Sequence, residues 1–120
     1  MFSETNTWKK ISPMPTVLNA KDSPAPRSGA HSLSFENSVF FFGGYTRKGG
    51  TYFNDLTEFK TIQNKWVNLN PQNAPSPRTD HSFVRYFNQF IVYGGRDETH
   101  IFSDMHVYQI GTNSWKSVTE

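Results

Sequence analysis

The 120-residue sequence contains no cysteine. Disulfide scaffolds, thiol nucleophiles and thiolate-bound zinc are therefore excluded. No apolar run approaches the roughly 18–20 residues that cross a bilayer as a helix. Charge of neither sign is concentrated: twelve Lys and Arg face ten Asp and Glu, for a formal charge of +2. No basic run is longer than the pairs Lys9-Lys10 and Arg47-Lys48. The basic stripe that tracks a nucleic-acid backbone is missing. The opening MFSETNTWKK has no apolar middle of the secretory type, and no Asn-x-Ser/Thr sequon occurs. The expectation is an intracellular chain, cytoplasmic or nuclear, that binds neither nucleic acid nor membrane.

What is present is apolar and aromatic. Phe, Leu, Ile and Val supply 27 residues, eleven of them Phe, with five Tyr and three Trp besides. That is enough for one domain's core, and the rings favour strands, where flat side chains pack on a pleated surface.

The chain also repeats. FFFGGY at 40–45 returns as IVYGGR at 91–96, a spacing of 51 (91 − 40). Pro26-Arg27 matches Pro77-Arg78 at the same spacing. Asp55 matches Asp104, Phe59 matches Tyr108, and Asn64-Lys65-Trp66 matches Asn113-Ser114-Trp115, all at 49. The two-residue difference falls just after the glycines, as a surface loop tolerates. Phe2 and Asn6-Thr7-Trp8 resemble Phe59 and Asn64-Lys65-Trp66, so residues 1–11 read as the tail of an earlier unit. Two full units follow, 24–70 and 75–120.

Each unit reads as four short strands: 31–35 or 81–86, 38–42 or 89–93, 56–60 or 105–109, and 65–69 or 114–118. The segment DLTEFKTIQNKW also fits an amphipathic helix, with Asp55 as cap and Leu56, Phe59, Ile62 and Trp66 on one face. Its copy DMHVYQIGTNSW, with Gly111 and a Thr-Asn-Ser cluster, favours strand–turn–strand.

The ordered set Arg…His…Gly-Gly…Asp…aromatic…Trp, twice over at a period near 50, resembles the kelch-repeat family. It covers nearly the whole chain. The resemblance implies an all-β fold: two four-stranded antiparallel blades plus the last strand or strands of a preceding blade, an incomplete β-propeller. It makes Arg27, His31, Gly43, Gly44, Asp55 and Trp66, with Arg78, His81, Gly94, Gly95, Asp104 and Trp115, fold determinants. Each Trp is expected to fill the gap between blades. Trp66, with a blade following it, is expected to be the more deeply packed and Trp115, on the last blade, the less. Propellers close with about four to eight blades. Two blades therefore suggest a fragment, a truncated product, or a protomer completed by the blades of the full-length protein or another chain. The open faces predict association.

Strand alternation sends the long segments 45–54 and 96–103 and the inter-blade stretches 12–26 and 70–77 to one end of the blades. Binding residues concentrate on long loops carried by a rigid scaffold. Tyr45, Arg47, Lys48, Tyr52, Arg96, Asp97 and His100 are the candidate contact residues. Arg47 and Arg96 follow their glycines at similar positions, and the guanidinium groups suit carboxylates or phosphates of an acidic or phosphorylated partner. Kelch domains serve as ubiquitin-ligase substrate adaptors or as cytoskeletal and trafficking scaffolds, so the resemblance implies a non-catalytic protein-interaction module.

The alternatives are a truncated propeller of the galactose-oxidase type without its catalytic residues, or a non-functional fragment. The crosslinked Cys–Tyr cofactor of such copper oxidases has no cysteine to form from here. His31, His81, His100 and His106 match no metal-ligand spacing, and His31 and His81 recur at the strand openings. No metal or cofactor is expected. Lys48-Gly49-Gly50-Thr51 lacks the strand–loop–helix setting of a phosphate loop.

Overall fold

A computed structural model describes residues 16–118; the expected tail of a preceding blade, 1–11, lies outside them. Two four-stranded antiparallel sheets follow each other along the chain. The first orders β1 (His31–Phe35), β2 (Ser38–Phe42), β5 (Leu56–Lys60) and β6 (Lys65–Asn68) side by side. The second does the same with β7 (Ser82–Tyr86), β8 (Gln89–Tyr93), β9 (Met105–Gln109) and β10 (Ser114–Val118). Between β2 and β5 the chain makes a small hairpin, β3 (Tyr45–Thr46) with β4 (Thr51–Tyr52). The strands fall where alternation placed them, with His81 and Leu69 just outside. The helical alternative fails on Ile62, which its apolar face would have buried and which is 77 % exposed in a turn.

The sheets stack face to face. On β2, Phe40 and Phe42 turn toward the second sheet; Phe83, Phe90, Val92, Tyr108 and Trp115 turn back toward them, all buried. The Phe40 and Phe90 ring centroids are 4.6 Å apart. Each such side chain contributes about 1.5–3 kcal/mol on burial. The core is the seam between the sheets.

Register shows which face is which. Trp115 pairs across strands with Tyr108 and Phe90, the face that meets sheet one. Trp66 occupies the same place in sheet one, beside Phe59 and Val39, and so faces away from sheet two. The expected order of the two tryptophans is therefore reversed. Trp115 is 2 % exposed and lies 5.1 Å from Phe42 of the first sheet. Trp66 is half-buried, against Phe41 and Phe59 of its own sheet. Trp115 packs on the sheet before its own, and Trp66 faces away from the sheet after its own.

The two strand-opening histidines also differ from the repeat reading. His31 pairs with Phe42, whereas Ser82 pairs with Tyr93. At the repeat spacing of 51, His31 corresponds to Ser82 and His81 to Ala30. A one-residue offset sends a strand side chain to the opposite face. His31 looks forward, His81 looks back, and their rings meet across the seam at 4.9 Å.

The linkers complete each outer edge. Leu18 bridges in parallel to Lys65, and Gln72 to Ser114. Asn64 and Asn113 sit in left-handed backbone at φ 54° and 49°, which Asn tolerates better than most residues. Their side-chain amides donate to the carbonyls of Thr16 and Leu69. A turn residue thereby ties the incoming linker to the strand it flanks.

Candidate functional site

The motif residues form one unit in each sheet. Arg27 holds Asp55 through both guanidinium branches and also donates to the Gly43 carbonyl at 3.2 Å. Arg78 does the same with Asp104, at 2.6 and 3.0 Å, and with the Gly94 carbonyl at 2.9 Å. Phe53 and Phe102 lie under the two guanidinium planes, 3.6 and 4.1 Å away. Both phenylalanines stand two residues before the Asp (55 − 53 and 104 − 102), a recurrence that would have revealed them. Arg78 is fully buried, and its pairing holds the Asp104 carboxyl well below the usual carboxylate range, against the opposing effect of burial; His106 adds to the lowering. A bidentate, desolvated arginine of this kind serves the fold, since its donors are consumed internally.

The glycine doublet answers to two blades at once. A Cβ on Gly43 would lie 2.4 Å from His81 Cε1 and 2.9 Å from the Arg78 carbonyl oxygen, both in the next sheet. A Cβ on Gly44 would lie 2.8 Å from the Ser28 carbonyl oxygen of its own sheet. His81 fills the space thus left. Its Nε2–H donates to the Phe42 carbonyl at 3.0 Å, and Nδ1 is buried without a partner among the described residues. Burial, with His31 and Arg78 close by, pushes its pKa down to about 4.

The loop end of the blades carries the expected contact residues. Tyr45 and Tyr52 stack across the β3–β4 hairpin, with centroids 5.4 Å apart and ring planes within 20°. Arg47 and Lys48 form its exposed tip. Arg96 is not the counterpart of Arg47. Tyr45 bridges to Ser28 and Arg96 to Thr79, so Arg96 stands where Tyr45 does. The shorter second loop closes through an Arg96–Ile101 bridge and has no equivalent of the Arg47 tip. Arg96 is also engaged: its Nε–H donates to Asp80 at 2.8 Å. Asp80, with Tyr52 as a weaker contributor, raises the pKa of its guanidinium. No sequence motif marks Asp80, although it matches Gly29 at spacing 51 and shares its positive φ.

Asp97 accepts from the backbone N–H groups of Thr99 and His100, which hold it below the usual carboxylate range. His100 lies flat against Phe102 at 5.9 Å. These two residues shape their own loop. The structure thus groups Tyr45, Tyr52 and Arg96 near the blade junction, with Arg47 and Lys48 at the hairpin tip, and sets Asp97 and His100 in a separate turn. Among the described residues no three His, Asp or Glu side chains gather as metal ligands, and no helix is long and apolar enough to cross a membrane.

The blade pair, the buried Arg–Asp units and the glycine doublets agree with a comparison against protein families. The KLHDC2/KLHL20/DRC7 Kelch-repeats domain matches residues 1–120. The chain belongs to the kelch-repeat family. Its two sheets are kelch blades, here blade 1 and blade 2. Similar proteins include the dynein alpha chain of the flagellar outer arm of Chlamydomonas reinhardtii, 36% identical over 82% of this chain and 2% of that protein. A leucine-zipper-like transcriptional regulator 1 homolog of Drosophila melanogaster is 33% identical over 81% of this chain and 11% of its own length. Kelch repeat-containing protein 2 of Saccharomyces cerevisiae is 32% identical over 86% of this chain and 12% of its own. The chain thus spans a small part of these relatives. Kelch repeats are generally non-catalytic interaction modules, and protein is what they generally bind.

Proposed function

We propose that the loop end of the two blades captures an acidic or phosphorylated peptide segment of a protein partner, without chemistry of its own. The observation that carries this is the β3–β4 hairpin. It presents a stacked Tyr45–Tyr52 pair beneath an exposed Arg47-Lys48 tip, on a base held by backbone bonds from Tyr45 to Ser28 and from Phe53 to Gly44. Tyrosines give contact area at small entropic cost, and the two cations supply charge for carboxylate or phosphate oxygens. Arg96 acts secondarily, because an incoming anion competes with Asp80 for it. Within a longer protein, such capture suits a ubiquitin-ligase substrate adaptor or a cytoskeletal or trafficking scaffold.

An array of acidic and phosphorylated peptides probed with the full chain tests the reading. Peptides retained by the wild type should lose at least about tenfold in affinity for Arg47→Glu/Lys48→Glu, roughly 1.4 kcal/mol. Arg96→Glu should lose less. Lys60→Glu/Lys116→Glu, on strands away from the loops, should bind as the wild type does. Loss on the strand reversal with retention on the loop reversal would move the site to the blade edge and overturn the proposal.

A further inference from the structure

The end of the blades opposite the long loops, where β1 turns into β2 and β9 into β10, holds a cleft of about 480 Å³ between the two sheets. Its blade 1 wall is formed by Phe35, Glu36, Phe40 and Glu58, and its blade 2 wall by Tyr108 and Ile110. Both walls belong to this chain, so the cleft is complete in the pair of blades. The rings behind it are packed together. Phe90 meets Phe35 edge-on at 5.8 Å and stacks on Tyr108 at 5.6 Å.

Glu58 is the group that a purely structural seam does not need. It pairs across strands with Phe40, which sends its carboxylate to the blade 2 side, where it is half-buried. One carboxylate oxygen accepts from the Ser38 hydroxyl at 2.6 Å. Among the described residues no cation pairs with Glu58, and no Lys or Arg lines the cleft. Burial, with the Glu58 charge adding to it, pushes the Tyr108 pKa up to about 12. The repeat shows that neither acid of the cleft serves the blade fold. Glu58 corresponds to Val107 at spacing 49, and Glu36 to Phe87 at spacing 51.

The walls are fixed by their own bonds. Thr61 donates to the Asn37 carbonyl through its N–H at 3.0 Å and its hydroxyl at 2.9 Å, which ties the β1–β2 turn to β5. Asn113 accepts from the Tyr108 hydroxyl at 2.6 Å and donates to the Leu69 carbonyl at 2.8 Å, which ties the β9–β10 turn to the linker. A surface held in this way loses little freedom when a ligand enters.

We infer that this cleft takes an arginine side chain from a basic segment of a partner protein. A half-buried carboxylate without a cation among apolar rings is costly, and an entering guanidinium offsets that cost. Its N–H groups donate to Glu58 while its flat face and stem lie against aromatic surface, a combination that suits arginine better than lysine. Exposed Glu36 at the mouth faces a second cation on the same segment. The cleft lies at the end opposite the β3–β4 hairpin, so the inference is independent of the loop-end reading.

An array of short peptides, each with one central arginine among varied neighbours, tests it when probed with the full chain. A subset should be retained. Exchanging the arginine for citrulline, which has the same shape and no charge, should weaken that subset by at least about tenfold. Glu58→Gln keeps the side-chain volume and should weaken the arginine peptides to the same degree. Arg47→Glu/Lys48→Glu should hold them as the wild type does. Should Glu58→Gln fail to fold, Ile110→Lys, at a 36 % exposed position on the cleft wall, replaces it with the same expected loss. An array that retains nothing, equal retention of arginine and citrulline peptides, undiminished binding by the folded cleft variant, or loss on the loop reversal would each overturn the inference.

Discussion

Blade 1 and blade 2 use the same motif to different depths, and the difference follows from which neighbour each has. Trp115 is buried and Trp66 is half-buried. Gly43 is crowded and Gly94 is open. Arg78 is fully enclosed, while the Arg27 side chain keeps 7 % exposure. In a stacked repeat a residue's contribution is set partly by the interface it enters. At this junction Trp115 and the backbone of Arg78 reach back to blade 1, and Gly43 and Gly44 reach forward to blade 2. Blade 2 has its back contacts made, and blade 1 its forward ones.

The largest effect expected from this asymmetry is at the tryptophans. Trp115→Ala should destabilise by about 3–5 kcal/mol, the usual cost of emptying a buried aromatic site. Trp66→Ala should cost no more than about half of that, because a half-exposed ring leaves a smaller cavity. Urea denaturation of the two variants checks the order, and equal midpoint shifts would break the comparison.

The glycines come next. Gly43→Ala and Gly94→Ala both place a side chain at positive φ, 80° and 70°, at about 1–2 kcal/mol each. Only Gly43→Ala also forces the new methyl against His81 and the Arg78 carbonyl, which adds about 1–3 kcal/mol of overpacking. Thermal melts should rank Gly43→Ala well below Gly94→Ala; the reverse ranking would show that the doublet does not serve the following blade.

Much of this organisation is legible in the sequence, and the errors have specific physical causes. Strand positions survive because period-two alternation and two copies constrain each other. The helical alternative over 55–66 falls to its copy for the same reason. A repeat, however, does not say which neighbour a given face of its sheet addresses, so the roles of Trp66 and Trp115 were exchanged. His31 and His81 looked equivalent because both open a strand after Arg, yet a spacing of 50 where the strand repeat is 51 puts them on opposite faces. Arg47 and Arg96 looked equivalent because both follow Gly-Gly, and the two-residue loop difference lies just there. The candidate contact residues at the loop end follow from loop position alone, while Asp80, which engages Arg96, requires the fold.

A smaller effect lies at the histidine seam. His81 has its folded pKa lowered from 6.5 to about 4, so the unfolded chain binds the extra proton first. Its contribution is fully present above pH 6.5 and is lost as pH falls toward 4. Asp104 is also lowered, which places its own loss below about 3.8 and outside this window. Denaturation midpoints should therefore decline between pH 6.5 and 4, and His81→Asn should flatten that decline at a lower overall stability. An unchanged slope would remove His81 as its cause.

The central claim, that Trp115 packs on the blade before it while Trp66 faces away from the blade after it, is tested most directly by a double-mutant cycle between Phe42→Leu and Trp115→Phe, measured by urea denaturation. The rings lie 5.1 Å apart across the blade junction, so a coupling of about 0.5–1.5 kcal/mol is expected. The control cycle between Phe42→Leu and Trp66→Phe, which address opposite faces of blade 1, should be additive within about 0.5 kcal/mol. Additivity in the first cycle together with coupling in the second would place each tryptophan against the following blade and contradict the account.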